Sequence, residues 1–342
     1  MNLYLSNLPR NLQSADDTRR RGLYLILFLL LSFVFTTAAR GDVSLFVEEP
    51  YGFFGSINPT GHSAIYLNRV CAESPTMLRR CEPGETGVVI SRYSRIRSFD
   101  WVAIPLMPYL YAVERAEDVP QWVEPTYVDE MRRQYAEAHL SSLVSATKGY
   151  DTKTVWPQLL GVAYIRKIYS FEIATTEDQD DLLIAEYNGR ANKTHFNLFT
   201  NNCADFSRRL LNFYYPRAAH RSITADIGIT TPKQIAKSLV SYAHRHDELE
   251  LSAVVIPQVP GVIPRSHKPR GVVEALLKTK KYALPIAYLN PYFLAGIAVT
   301  YLTNGRFDLA KNAPVIAVAD QEQALLSGRS DVLLKESDSA SP

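Results

Sequence analysis

The stretches GHSAIYL (61–67) and TNNCADF (200–206) decide how this chain reads. The first is a histidine that opens an apolar strand directly after a glycine; the second is a cysteine that opens an amphipathic helix behind two asparagines. A thiol is a strong nucleophile only as the thiolate, and both a helix N-terminus and an adjacent imidazole lower its pKa. His62 and Cys203 are therefore the candidate base and nucleophile. Asn201 and Asn202 are candidate N-caps. An amide from one of them, with that of Cys203, would donate to the oxyanion of a tetrahedral intermediate.

Strand alternation puts His62 on one face with Ala64 and Tyr66. The polar group that orients a catalytic imidazole would then come from a neighbouring strand, and GVVISRY (87–93) reads as that strand. Ser91, Tyr93 and Ser94 are candidates and Asp100 a weaker one. Spacing does not choose among them, and Ser91 is taken as the working third member. Asp205 lies two residues past the cysteine, points elsewhere on a helix, and is expected to steady the first turn against the dipole.

Working outward, VSLFV (43–47) reads as a strand and YGFFGSINPTG (51–61) as the loop that delivers His62. The loop aromatics Tyr51, Phe53 and Phe54 are expected to pack beneath the histidine rather than line a cleft. DWVAIPLM (100–107), YIRKIYSFEIA (164–174) and LSAVVIP (251–257) are further strands. Helices are expected from about Val128, after the Thr176/Gln179 capping box, from Cys203, and from Thr231-Pro232. In the Cys203 helix, Cys203, Phe206, Leu210 and Phe213 share one face. The mixture predicts an α+β domain over residues 40–256.

The chain has 342 residues and is 46% hydrophobic, enough for a sizeable core. Lys plus Arg number 37 against 35 Asp plus Glu, a net +2 that gives no field for a nucleic-acid partner. Arg19, Arg20 and Arg21 precede an apolar run from Leu23 to Phe35 and the small residues Thr37-Ala38-Ala39. Residues 1–39 thus read as a signal peptide cleaved after Ala39, with an uncleaved anchor as the alternative; both place the remainder outside the cytoplasm, in the cell envelope or periplasm. An oxidising compartment permits a disulfide between Cys71 and Cys81, which flank the short loop AESPTMLRR, and leaves Cys203 as the odd thiol.

Four prolines mark 257–269 as a linker or surface strap, and 270–320 reads as helical. ALPIAYLNPYFLAGIAVTYL (283–302) has about the 20 residues needed to cross a bilayer, yet is interrupted by Pro285, Asn290 and Pro291. It reads as a span, an interfacial segment or a buried helical hairpin, so membrane contact through 283–302 is one expectation. Residues 321–342 read as a disordered tail. His244 and His246 suit a solvated helix end, and neither a metal nor a cofactor is assigned. Asn192-Lys-Thr is a glycosylation sequon.

A histidine strand followed by an Asn-Asn-Cys helix start resembles the circularly permuted papain-like cysteine enzymes. This NlpC-type superfamily also includes lecithin:retinol acyltransferase-like proteins and lipoprotein N-acyltransferases of the Lnb type. The run from YSFEIATTEDQ to NNC, a strand, a capped helix and then the cysteine, looks most like the periplasmic domain of the last group. The likeness covers about 43–216 and is specific only around GHSAIYL and NNCADF. It implies an antiparallel sheet carrying the histidine against a helix that starts at the cysteine. It also implies an acyl hydrolase or acyltransferase working through acyl-Cys203, on an acyl lipid or lipoprotein. A peptidoglycan endopeptidase or amidase, and a non-catalytic envelope binding module, are the alternatives. The chain departs from the lecithin:retinol acyltransferases in having no second histidine between His62 and His139.

Overall fold

The computed structural model describes residues 41–316 except 53–54, 56–58, 94–95, 97–98, 142, 144–151 and 312. The expected export segment 1–39 and the tail 321–342 lie outside the described residues, as do Phe53, Phe54 and Ser94. The fold is mixed α+β, built on a six-stranded antiparallel sheet. Its strands are β1 (Gly41–Glu48), β2 (His62–Leu67), β5 (Val88–Ser91), β6 (Val102–Pro105), β7 (Ile168–Thr175) and β8 (Ser252–Ile256), in the order β6-β5-β2-β1-β7-β8. A separate hairpin, β3 (Val70–Ser74) with β4 (Met77–Arg80), follows β2.

Both faces of the sheet are covered, which explains why β1 and β2 are apolar at successive positions rather than alternately polar. Phe46, Ala64, Tyr66 and Val89 face one layer, which includes α1 (Leu106–Tyr111), α2 (Pro125–His139) and α3 (Thr152–Leu159). Val43, Leu45, Ile65 and Ile90 face the other. That layer is built from α4 (Glu177–Gly189), α5 (Cys203–Tyr214) and, beyond the short α6 (Ile223–Asp226), α7 (Pro232–Ala243). The Thr176/Gln179 capping box starts α4 and Thr231 caps α7.

Four features differ from the sequence expectation. DWVAIPLM turns from strand to helix at Pro105, because a short buried apolar run carries no period that separates the two states. YIRKIYSFEIA becomes strand only at Ile168; a 3₁₀ turn over Val162–Tyr164 precedes it and turns Arg166 inward. On α5, Phe213 is 38% exposed, and Leu211 and Tyr214 are buried beside Phe206 and Leu210. The proline-rich 257–269 separates nothing. Val259 N–H donates to the Ala163 carbonyl at 2.9 Å, the Gln258 amide to the Tyr164 carbonyl at 3.2 Å and Ser266 Oγ to Glu49 at 2.6 Å, so residues 41–316 belong to one compact unit.

The segment 283–302 is two helices, α9 (Lys280–Leu289) and α10 (Pro291–Thr300), which follow α8 (Val272–Lys278). Asn290 breaks the run, ending α9 and capping α10 by accepting from Phe293 N–H at 2.9 Å. Among the described residues no helix is long and apolar enough to cross a membrane. Cys71 and Cys81 form a disulfide across the β3/β4 hairpin. Asn188 docks that hairpin on α4 through both the N–H and the carbonyl of Leu78, at 2.9 and 2.7 Å.

At the end of β1 the fully buried Glu48 accepts from the Tyr109 hydroxyl of α1 and pairs with the Arg166 guanidinium, itself only 5% exposed. Removing one partner of such a pair leaves an uncompensated charge in the interior. Glu48→Ala is expected to destabilise the fold by about 3–5 kcal/mol in urea unfolding, whereas the apolar double change Glu48→Leu/Arg166→Met recovers most of the loss. Equal stabilities for the Glu48→Ala and unmodified chains would contradict the pairing.

Candidate active site

His62 owes its position to Gly61. The glycine has φ +77°, and a Cβ there would lie 2.1 Å from the Glu48 carbonyl oxygen, so the chain returns to the sheet by a route only glycine can take. His62 is then the first residue of β2, directly opposite Glu48 on β1.

Cys203 owes its position to a helix cap. Asn202 Oδ1 accepts from Asp205 N–H at 2.9 Å, and the Asp205 carboxylate accepts from Asn202 N–H at 3.4 Å, a reciprocal capping box. Asp205 is fully buried and also accepts from Arg221, at 2.6 and 3.1 Å, and from Thr230 Oγ1 at 2.5 Å. It steadies the first turn, as expected, and fastens it to the 221–230 segment. Further along α5, Ser207 Oγ donates to Ser63 Oγ at 3.0 Å, which holds the helix against β2.

Together these elements bring Cys203 and His62 into hydrogen-bond contact at the end of the sheet where β1 finishes, β2 starts and β5 finishes. Both side chains are half-buried. Burial is the largest influence on each and opposes ionisation, raising the thiol and lowering the imidazole. The attraction and hydrogen bond between them outweigh it. Aided by the Ser63 backbone N–H, they pull Cys203 below the ordinary thiol value; they hold His62 above the ordinary imidazole value. Each group thus favours the charged form of the other.

Ser91 closes the far side of the ring. Its hydroxyl donates to the Ser63 carbonyl at 2.7 Å and so meets His62 Nε2, 3.1 Å away, as an acceptor. That assigns the proton to Nε2 and leaves Nδ1 for Cys203. Tyr93 stacks on the imidazole, with centroids 5.2 Å apart and planes at 23°. Asp100 is turned away and pairs with Arg92.

Asn201 and Asn202 adjoin the thiol, but their polar groups are engaged elsewhere. Asn201 N–H donates to the Asn197 carbonyl at 2.9 Å, while its side chain binds Arg92, Arg209, Thr194 and the His195 carbonyl. The Asn202 amide donates to the carbonyls of Leu198 and Thr230. Among the described residues, the N–H groups of Cys203 and Ala204, in the first turn of α5, have no acceptor. His62, Cys203 and Ala204 border an open cleft of about 540 Å³, solvent included, with Gln158, Phe196 and Leu198 on its walls.

Sequence reasoning did not single out Glu48, Ser63 or Arg166. Glu48 carried one local signal, a carboxylate closing the apolar run VSLFV; Ser63 and Arg166 carried none, because strand pairing and the 3₁₀ turn alone bring them here. Tyr51 packs under Arg166, whose guanidinium lies 4.5 Å from its ring centroid. The sequon residue Asn192 has its amide engaged with the backbone of Asp100 and Trp101 at 2.8–3.0 Å.

Alkylation of Cys203 by iodoacetamide is expected to rise with pH through an apparent pKa below the ordinary thiol value of about 8.5. His62→Ala removes the attraction that overcomes burial, so its profile moves to higher pH. Ser91→Ala, which removes only the acceptor behind the ring, should give a smaller move in the same direction. Identical profiles for the unmodified chain and His62→Ala would exclude the ion pair.

Compared with protein-family models, curated proteins and solved structures, the chain gives no significant match.

Proposed function

We propose that this chain is a thiol-dependent acyl hydrolase or acyltransferase of the permuted papain-like type, acting outside the cytoplasm on the acyl group of a lipid or lipoprotein. The observation that carries this reading is Cys203 at a capped helix N-terminus, hydrogen-bonded to His62, with Ser91 behind the ring. The resemblance of GHSAIYL and NNCADF to that superfamily supports it, and the Leu23–Phe35 segment supports export.

The Cys203 thiolate attacks the acyl carbonyl carbon. The carbonyl oxygen becomes an oxyanion received by the N–H groups of Cys203 and Ala204, at the positive end of the α5 dipole. As the tetrahedral intermediate collapses, the His62 imidazolium gives its Nδ1 proton to the leaving group, which departs and leaves acyl-Cys203. Neutral His62 then takes a proton from the incoming water or amine. That acceptor attacks the thioester and Cys203 leaves again as thiolate. Ser91 keeps Nε2 occupied throughout, so the ring presents the same nitrogen to both half-reactions. Phe196 and Leu198 give the cleft an apolar wall suited to a hydrocarbon chain.

Incubation with p-nitrophenyl octanoate and rapid acid quenching should show one octanoyl group on Cys203 by peptide mass spectrometry. Cys203→Ala should carry none, and His62→Ala should release nitrophenol at least about 100-fold more slowly. Unchanged release from Cys203→Ala would remove the nucleophile from the reading. Comparing a diacylated lipopeptide with a muropeptide then fixes the class: turnover of the muropeptide alone would reassign the enzyme to cell-wall peptide cleavage.

A further inference from the structure

We infer that α9 and α10 form a hairpin that docks the protein on an anionic lipid bilayer by dipping into one leaflet. From Tyr282 to Gly305 the chain carries no charged residue, whereas Lys280 and Lys281 stand at one end and Arg306 at the other. The apex exposes a cluster of large apolar side chains: Tyr288 is 89%, Leu289 79% and Tyr292 89% accessible, and Leu284 and Phe293 flank them. Helix α10 is apolar on all sides, the pattern of a helix surrounded by hydrocarbon or by protein core. Among the described residues no core covers it, and of its own residues only Ile297 is buried.

Three polar side chains of the hairpin bond to its own backbone, as hydrocarbon favours. Asn290 caps α10 at the apex, Thr300 Oγ1 donates back to the Gly296 carbonyl at 2.8 Å, and Thr303 Oγ1 donates to the Val299 carbonyl at 3.0 Å. Each helix has 10 residues, a rise of about 15 Å and half of the roughly 30 Å hydrocarbon thickness. The hairpin thus reaches one leaflet deep and no further. Tyr288 and Tyr292 combine an apolar ring with a polar tip, the chemistry of the bilayer interface.

Charge at the foot of the hairpin selects an anionic surface. An open cleft of about 900 Å³ there is lined by Lys233, Lys268, Arg270, Lys278 and Arg306 against two carboxylates. Glu274 is held by Lys233 and Lys278, at 2.5 and 2.8 Å, and Asp308 lies 3.8 Å from Lys268. Neither Arg270 nor Arg306 has a carboxylate partner among the described residues; Arg270 donates to Thr279 Oγ1 at 2.9 Å. Cations grouped at the base of an apolar projection are placed to meet lipid phosphates when the apex enters the acyl region. The docking surface is independent of the chemistry at Cys203.

The test uses the full chain carrying Tyr288→Trp and vesicles with brominated acyl chains, which quench tryptophan inside the bilayer. With equimolar phosphatidylcholine and phosphatidylglycerol, the added emission should fall at least twofold; with phosphatidylcholine alone, the fall should be much smaller. In co-sedimentation, Tyr288→Ser/Leu289→Ser should bind about tenfold more weakly, since both side chains are surface-exposed and leave the fold intact. Arg270→Gln/Arg306→Gln should lose the preference for the anionic vesicles, and Cys203→Ala should bind like the unmodified chain. Sedimentation without quenching at position 288 would place membrane contact in another segment and overturn the inference. So would a dimer, seen by light scattering, that the Tyr288/Leu289 changes dissociate; the hairpin would then pair with a second copy.

Discussion

The end of the sheet that holds His62 and Cys203 rests on a carboxylate and a guanidinium enclosed together in the interior. Glu48 and Arg166 join the last residue of β1 to the approach of β7, and Tyr109 brings α1 to the same point. Such a pair stabilises little for its own sake, because desolvation offsets much of the attraction, but it tolerates only one arrangement of the three segments. His62 lies across the β1/β2 ladder from that carboxylate. The Glu48 charge raises the imidazole and the Arg166 charge lowers it, so the pair exerts opposed influences and the thiol is the strongest electrostatic influence on the ring. The network behind the histidine sets its position, and the cysteine in front does most to favour its protonation.

How much of this was legible depended on whether the signal was local. The glycine before His62 and the asparagine before Cys203 each act within a few residues, through a backbone angle and a cap, and both were readable as strings. So was the Thr176/Gln179 box. Ser91 was the working third group, but spacing did not separate it from Tyr93 and Asp100: only Ser91 ends β5, and the path of the chain beyond that strand decides where the other two lie. The structure sets one against Nε2, stacks another on the ring and turns the third to Arg92. Arg166 was hidden for a different reason: an alternating run concealed a 3₁₀ turn that no propensity marks. For the asparagines, proximity to the thiol was readable, but the engagement of their N–H groups with the carbonyls of Asn197, Leu198 and Thr230 was not.

The first turn of α7 connects the two surfaces for which roles are proposed. Pro232 borders the cleft that holds Cys203, and the next residue, Lys233, grips Glu274 of α8 at the base of the hairpin. Pro269 meets the same neighbourhood from the other side, 3.5 Å from where a Gly61 side chain would begin, and Arg270 N–H donates to the Pro59 carbonyl at 2.8 Å. The strap that carries the chain toward the hairpin is therefore braced on the loop that delivers the histidine.

The close approach of Gly61 to the Glu48 carbonyl makes the two walls of the cleft unequal. On the histidine side, backbone presses on backbone, so neither sequence drift nor thermal motion has room to relocate the base. The opposite wall, which brings Phe196 and Leu198, belongs to a mostly exposed segment tied down by asparagine side chains. Divergence among descendants of this sequence would accordingly be recorded on that wall, in residues 193–200, around a histidine that stays where a missing methyl group put it.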